Sequence, residues 1–168
     1  MKKGLLVIDV QNDYFPGGKF TLWNAEKTLD NIEKVILKAE SNDIPVILVQ
    51  HIADSDSPFF CEGTEGDAIH PRILKVAPHG KIVAKTYADS FYQTNLEAEL
   101  SKLGVEELLI CGMMTHNCVT HTAISKSAEK YSVKVLPDCC TTVTEVLHLL
   151  SLHALSIRVE LLNSSDAI

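Results

Sequence analysis

The chain has 168 residues, 46% of them hydrophobic and 22% charged. That length and balance suit one globular domain, residues 1–168, and exclude a disordered chain. Fifteen Lys and Arg against 22 Asp and Glu leave a net charge of −7, with no basic run longer than Lys2-Lys3, so no nucleic-acid partner is expected.

No apolar run reaches the roughly 18 residues of a membrane helix. Asp9, Asn12 and Asp13 interrupt the apolar stretch behind Met1-Lys2-Lys3, so neither a membrane anchor nor secretion is expected. Gly4–Val10 is a short apolar run that reads as a buried strand. Asp13 and Pro16-Gly17-Gly18 mark a loop after it. Asn24 reads as a helix cap with Glu26 in the first turn, and Leu29, Ile32, Ile36 and Ala39 then share one helical face. Pro45–Val49 is the second strand. Residues 51–80 hold three Pro, three Gly and three His and show no periodicity. Irregular stretches of that length in a domain usually carry function.

Lys81–Lys85 is the third strand. Thr94-Asn95-Leu96-Glu97 is a capping box for a helix carrying Leu96, Leu100 and Leu103, which Gly104 stops. Glu107–Cys111 is the fourth strand. A turn from Gly112 to Asn117 leads into a helix with Val119, Ala123 and Ser127 inward. Ser132–Leu136 is the fifth strand, closed by Pro137-Asp138. Thr142-Val143-Thr144-Glu145 is a second capping box, with Val143, Val146, Leu147, Leu150 and Ala154 on its helix. Ile157–Leu161 is the sixth strand.

Strand and helix alternate throughout, which predicts a parallel sheet with helices on both faces. Right-handed crossovers put all strand carboxyl ends on one edge, and ligands bind outside it. Three reactive side chains fall there: Asp9 ends the first strand, Lys85 ends the third, and Cys118 follows the fourth by a short turn. A thiol attacks as thiolate. A helix start and a nearby ammonium favour that anion, and a carboxylate can take its proton. Each residue also has a plainer reading, as a turn cap, a solvated edge lysine or a small core residue, and spacing alone does not choose.

The five cysteines, Cys61, Cys111, Cys118, Cys139 and Cys140, form no Cys-x-x-Cys pair. Neither a disulfide framework nor a zinc finger fits, and free thiols point to a reducing cytoplasm. Cys111, Cys139 and Cys140 read as buried bystanders, and Cys61 as exposed within the irregular stretch.

The stretches GLLVIDVQNDYFPGG, Lys85-Thr86-Tyr87-Ala88-Asp89-Ser90-Phe91 and Gly112-Met113-Met114-Thr115-His116-Asn117-Cys118-Val119 resemble the isochorismatase-like cysteine hydrolase superfamily. The segments Gly63–Gly66, His70-Pro71 and Pro137-Asp138 extend the resemblance over nearly the whole chain. It implies a three-layer α/β/α sandwich around a six-stranded, mostly parallel sheet of Rossmann-like topology. It implies an Asp9-Lys85-Cys118 triad that cleaves a C–N bond of a small amide or carbamoyl substrate through a thioester. It also implies a non-proline cis peptide at Met113-Met114, with the amides of Met114 and Cys118 holding the oxyanion. Members often run further past the sixth strand than Ile168, so an abbreviated C-terminal edge is expected.

Isochorismatases proper generally lack the cysteine, so Cys118 favours amide or carbamoyl hydrolysis. Nicotinamidases of the superfamily hold a metal through Asp-x-His and a later His. The matching residues here are His51-Ile52-Ala53 and His70, so no metal and no other cofactor is expected. Gln11, Phe15, Trp23, His51, Tyr87, Phe91 and His116 are pocket candidates. Family members form homodimers or homotetramers, and a homo-oligomer is expected. Two alternatives stand beside this reading: a nicotinamidase with an altered metal site, and a binding or scaffold module on the same fold.

Overall fold

The run Leu5–Ile8 has no polar side chain to show to water, and it forms the middle of the sheet. In the computed structural model, which describes residues 1–168, six strands lie side by side: β1 (Lys3–Ile8), β2 (Val46–His51), β3 (Lys81–Lys85), β4 (Glu107–Met113), β5 (Ser132–Thr141) and β6 (Glu160–Leu161). Their order is β3-β2-β1-β4-β5-β6 and every pairing is parallel. The helices are α1 (Ala25–Ser41), α2 (Pro71–Val76), α3 (Leu96–Leu103), α4 (Thr120–Ala123), α5 (Glu145–Leu155) and α6 (Ser164–Ala167). The result is a three-layer α/β/α sandwich whose sheet is all-parallel rather than mostly parallel. All of β1 beyond Lys3 and all of β4 are buried, as strands covered on both faces must be. Strand order reverses between β1 and β4, which opens a crevice at their carboxyl ends. No helix is long and apolar enough to cross a membrane.

Several elements differ from the sequence reading, each for a local reason. β5 does not stop at Pro137. Its register with β4 jumps from Ile110↔Val135 to Gly112↔Cys140, and Pro137 falls in that bulge, where a missing N–H costs no ladder bond. The strand resumes and carries Cys139–Thr141 to the carboxyl edge. The helix after the fourth strand ends at Ala123, and Ser127 lies instead in a separate 3₁₀ turn, Lys126–Lys130, where it is only half-buried.

Asn24 precedes α1 in a left-handed conformation and makes no side-chain cap. At α3 the Thr94 hydroxyl accepts from Leu96 N, while the assigned cap Asn95 makes no side-chain bond. The α5 cap is Thr144, which accepts from Leu147 N. That helix buries His148, Leu152 and Leu155, half-buries Leu147 and exposes Val146, Leu150 and Ala154, while Val143 lies exposed before its start, so the buried face is not the expected one. The sixth strand shrinks to two residues and leaves Ile157 exposed.

The stretch 51–80 contains α2, signalled by Pro71 at its first position and capped by His70. The rest is stitched onto the loop after β1. Asn12 N donates to Ala68 O, Asp13 N to Gly66 O, and the buried Asp13 carboxylate accepts from Phe60 N.

Candidate active site

Asp9 is the first residue past β1, at a positive φ of 52° that non-glycine residues seldom adopt. Its N–H donates to Val49 O on β2, and its side chain is fully buried. On the other side of the crevice the penultimate residue of β4 is Gly112, whose φ is 119°. A Cβ there would lie 2.1 Å from Ile8 O, so only glycine lets β4 close on β1 beside Asp9. The Met113-Met114 peptide is cis, as the resemblance implies. A π-helical turn, Thr115–Val119, follows and carries Cys118.

Lys85 ends β3, two strands from β1, a gap of about 10 Å. A long side chain is needed to cross it. The β2–β3 register sets Lys85 beside His51, and the lysine passes that residue to reach the crevice. Its Nζ lies 2.9 Å from Asp9 Oδ2, 3.2 Å from Cys118 Sγ, 2.9 Å from His51 Nδ1 and 3.0 Å from the Tyr87 carbonyl. Asp9, Lys85 and Cys118 are 0%, 2% and 3% exposed.

The three N–H groups of the ammonium form hydrogen bonds with His51, Tyr87 O and Cys118. Asp9 is its ion-pair partner at the same range, and both carboxylate oxygens are buried from water. Burial pulls the Lys85 pKa down, but Asp9 and Cys118 outweigh it and the net shift is upward, so the group is an ammonium. The Cys118 thiol is pushed up by burial first and Asp9 second, with Lys85 opposing. Burial therefore opposes the thiolate that the helix start and Lys85 favour, and the sulfur depends on a base to take its proton.

Potential ligand atoms of Asp9, His51 and Cys118 lie within 4.8 Å of one another. Lys85 Nζ already stands between them, within 3.2 Å of each, so an ammonium fills the place a cation would take. The nicotinamidase-type set does not fit either. Ala53 offers no ligand atom, and His70 Nδ1 accepts from Arg72 N at the start of α2.

The remaining candidates divide. Gln11 is fully buried and clamps the main chain of His51, donating to its carbonyl and accepting from its N–H, so it is a brace and not a pocket wall. Phe15 is buried against the His70 ring. Phe91 is buried and stacks on Tyr131 as core. Tyr87 reaches Lys85 only through its carbonyl, and its half-exposed ring packs on Tyr92. Trp23 and His116 are half-buried. Trp23 N donates to Thr142 O, the His116 Nδ1 lies 2.7 Å from the Thr142 hydroxyl, and the Trp23 ring rests near His148. These contacts place both beside the end of β5.

Sequence reasoning passed over Tyr14. It is buried, and Asp9 and Cys118 both help burial to raise its phenol pKa, so it borders the same centre. Its position five residues after Asp9 is the available signal. Cys111, Cys139 and Cys140 are buried, with thiols raised chiefly by burial, Cys139 to about 12. Cys61 is buried rather than exposed, its sulfur facing the carbonyls of Ser55 and Ser57.

Comparison with known proteins agrees with this geometry. A family model for the isochorismatase domain matches residues 3–166. The "Uncharacterized isochorismatase family protein YddQ" of Bacillus subtilis is 39% identical over 145 residues, 86% of this chain and 80% of that protein. The crystal structure of an isochorismatase-like hydrolase from Alkaliphilus metalliredigens superposes with a TM-score of 0.89 at 26% identity, covering 98% of this chain and 96% of that one. The nicotinamidase PncA of Bacillus subtilis superposes with a TM-score of 0.85 at 25% identity, covering 95% and 98%.

Proposed function

The chain belongs to the isochorismatase family, and from that premise we propose that it is a cysteine hydrolase cleaving the C–N bond of a small amide or carbamoyl compound. The observation that carries this reading is a buried thiol within 4.8 Å of a buried carboxylate, with the Lys85 ammonium 2.9 Å from the carboxylate and 3.2 Å from the sulfur. Asp9 takes the Cys118 proton as the sulfur attacks the carbonyl carbon. Lys85, whose third N–H points at Sγ, receives the developing negative charge. The amides of Met114 and Cys118 hold the tetrahedral oxyanion. The Met114 N–H donates to no other group of the chain, which leaves it free for that role.

Collapse of the intermediate breaks the C–N bond, and Asp9 returns its proton to the leaving nitrogen. A water then attacks the thioester while Asp9 accepts its proton. The C–S bond breaks, the acid leaves, and Asp9 restores the thiol. The nicotinamidase neighbour supports an amide substrate class. No step uses a metal, since the donor set does not fit one. Intact-mass analysis during turnover tests the path: an acyl adduct confined to Cys118 supports it, and an adduct elsewhere rejects it.

The homo-oligomer belongs to the same proposal. Val146, Leu149 and Leu150 are 67%, 57% and 62% exposed on α5, at spacings that share one helix face. Monomers seldom leave such apolar stripes to water. A second copy packing α5 on α5 about a two-fold axis covers it, because one self-complementary stripe serves both sides. Five unpaired cysteines support a reducing compartment, and we place the protein in the cytoplasm.

A further inference from the structure

We propose that His51 is a positioning residue for Lys85, a neutral acceptor that fixes the ammonium between carboxylate and thiol so that one N–H faces Cys118. The inference rests on the triad reading above and adds a fourth side chain to it. A charged lysine has three donors and no lone pair. At 2.9 Å the His51 Nδ1 is therefore the acceptor, and the ring carries its proton on Nε2. His51 and the Tyr87 carbonyl occupy two of the three N–H groups, and the third is left for sulfur.

Without the imidazole the freed N–H has an obvious destination. Asp9 Oδ2 is 2.9 Å from Nζ and carries the opposite charge. Lysine then rotates toward the carboxylate, satisfies the intended base and withdraws from the thiol. His51 prevents this by giving the ammonium an uncharged partner. The ring itself is anchored from behind. Buried Gln11 bonds both main-chain groups of His51, at 2.7 and 2.8 Å, and its amide also donates to Asp67 O. Phe60 packs alongside, with ring centroids 5.9 Å apart. Burial and the adjacent Lys85 both lower the His51 pKa, in keeping with a neutral ring.

The test compares His51→Leu and His51→Ala, which remove the acceptor, with His51→Asn, whose side-chain oxygen restores one. Lys85→Met serves as reference. The readouts are the iodoacetamide labelling rate at Cys118, followed by peptide mass spectrometry, and kcat on any amide turned over. Both acceptor-free variants should label Cys118 about 10- to 100-fold more slowly, the scale of a misplaced active group, with unchanged circular dichroism. His51→Asn should recover most of the rate, and KM should move little. Normal labelling in His51→Leu and His51→Ala, or an Asn variant as slow as they are, overturns the inference. If Lys85→Met also labels normally, the triad reading fails; if Lys85→Met is slow and the acceptor-free variants are normal, only the role of His51 fails.

Discussion

Lys85 Nζ and Asp9 Oδ2 lie 2.9 Å apart with both side chains fully buried, an ion pair sealed from water. The ammonium also bonds His51, Tyr87 O and Cys118. A carboxylate compensated for its charge in this way stays ionised, which is what a general base beside a thiol requires.

Breaking the pair from one side leaves a buried charge without its counterion. Lys85→Met should destabilise the protein by about 3–5 kcal/mol, and adding Asp9→Asn should recover part of that loss. Urea denaturation of the two variants checks this. Equal stability of Lys85→Met and the wild type contradicts the pairing.

Asp9→Asn keeps the shape of the side chain and removes its basicity. It should lower kcat by about 10²- to 10⁴-fold, the usual contribution of a positioned acid–base group, while KM changes little. Steady-state kinetics decide, and a larger effect on KM than on kcat would make Asp9 a binding group instead.

Stability should fall on mild acidification. His51, His70, His116 and His148 all have pKa values lowered chiefly by burial. An unfolded histidine titrates near about 6.5. As pH drops through that value the unfolded chain takes up protons that the folded chain resists, so folding is penalised. The midpoint of thermal unfolding should be lower at pH 5.5 than at pH 7.5. A flat or rising midpoint speaks against neutral, buried rings.

The α5 stripe gives a prediction separate from the chemistry. Replacing Leu149 with Asp and Leu150 with Lys should convert an oligomer to a monomer by light scattering, with the fold retained, because both side chains face water within one chain. Unchanged assembly places the contact elsewhere.

The strands and the three reactive residues were legible because short apolar runs ending in Asp9 and Lys85, and the Gly-x-x-Thr-x-x-Cys turn, are local signals. The acceptor role of His51 was not, since it depends on the β2–β3 register that sets His51 beside Lys85. The burial that raises the Cys118 thiol was hidden too: helix starts and lysines can be read in a chain, but desolvation exists only once the core has closed. The same holds for α5, where tertiary packing selects His148, Leu152 and Leu155 over an equally apolar neighbouring face. Pro137 misled because a proline reads as a strand end unless the bulge that accommodates it is known.

The most direct measurement is ammonia release from a panel of small amides, ureido acids and carbamoyl compounds, by the wild type and by Cys118→Ala. The account predicts turnover of at least one compound by the wild type and none above background by a folded Cys118→Ala. Turnover that survives the loss of the sulfur contradicts it.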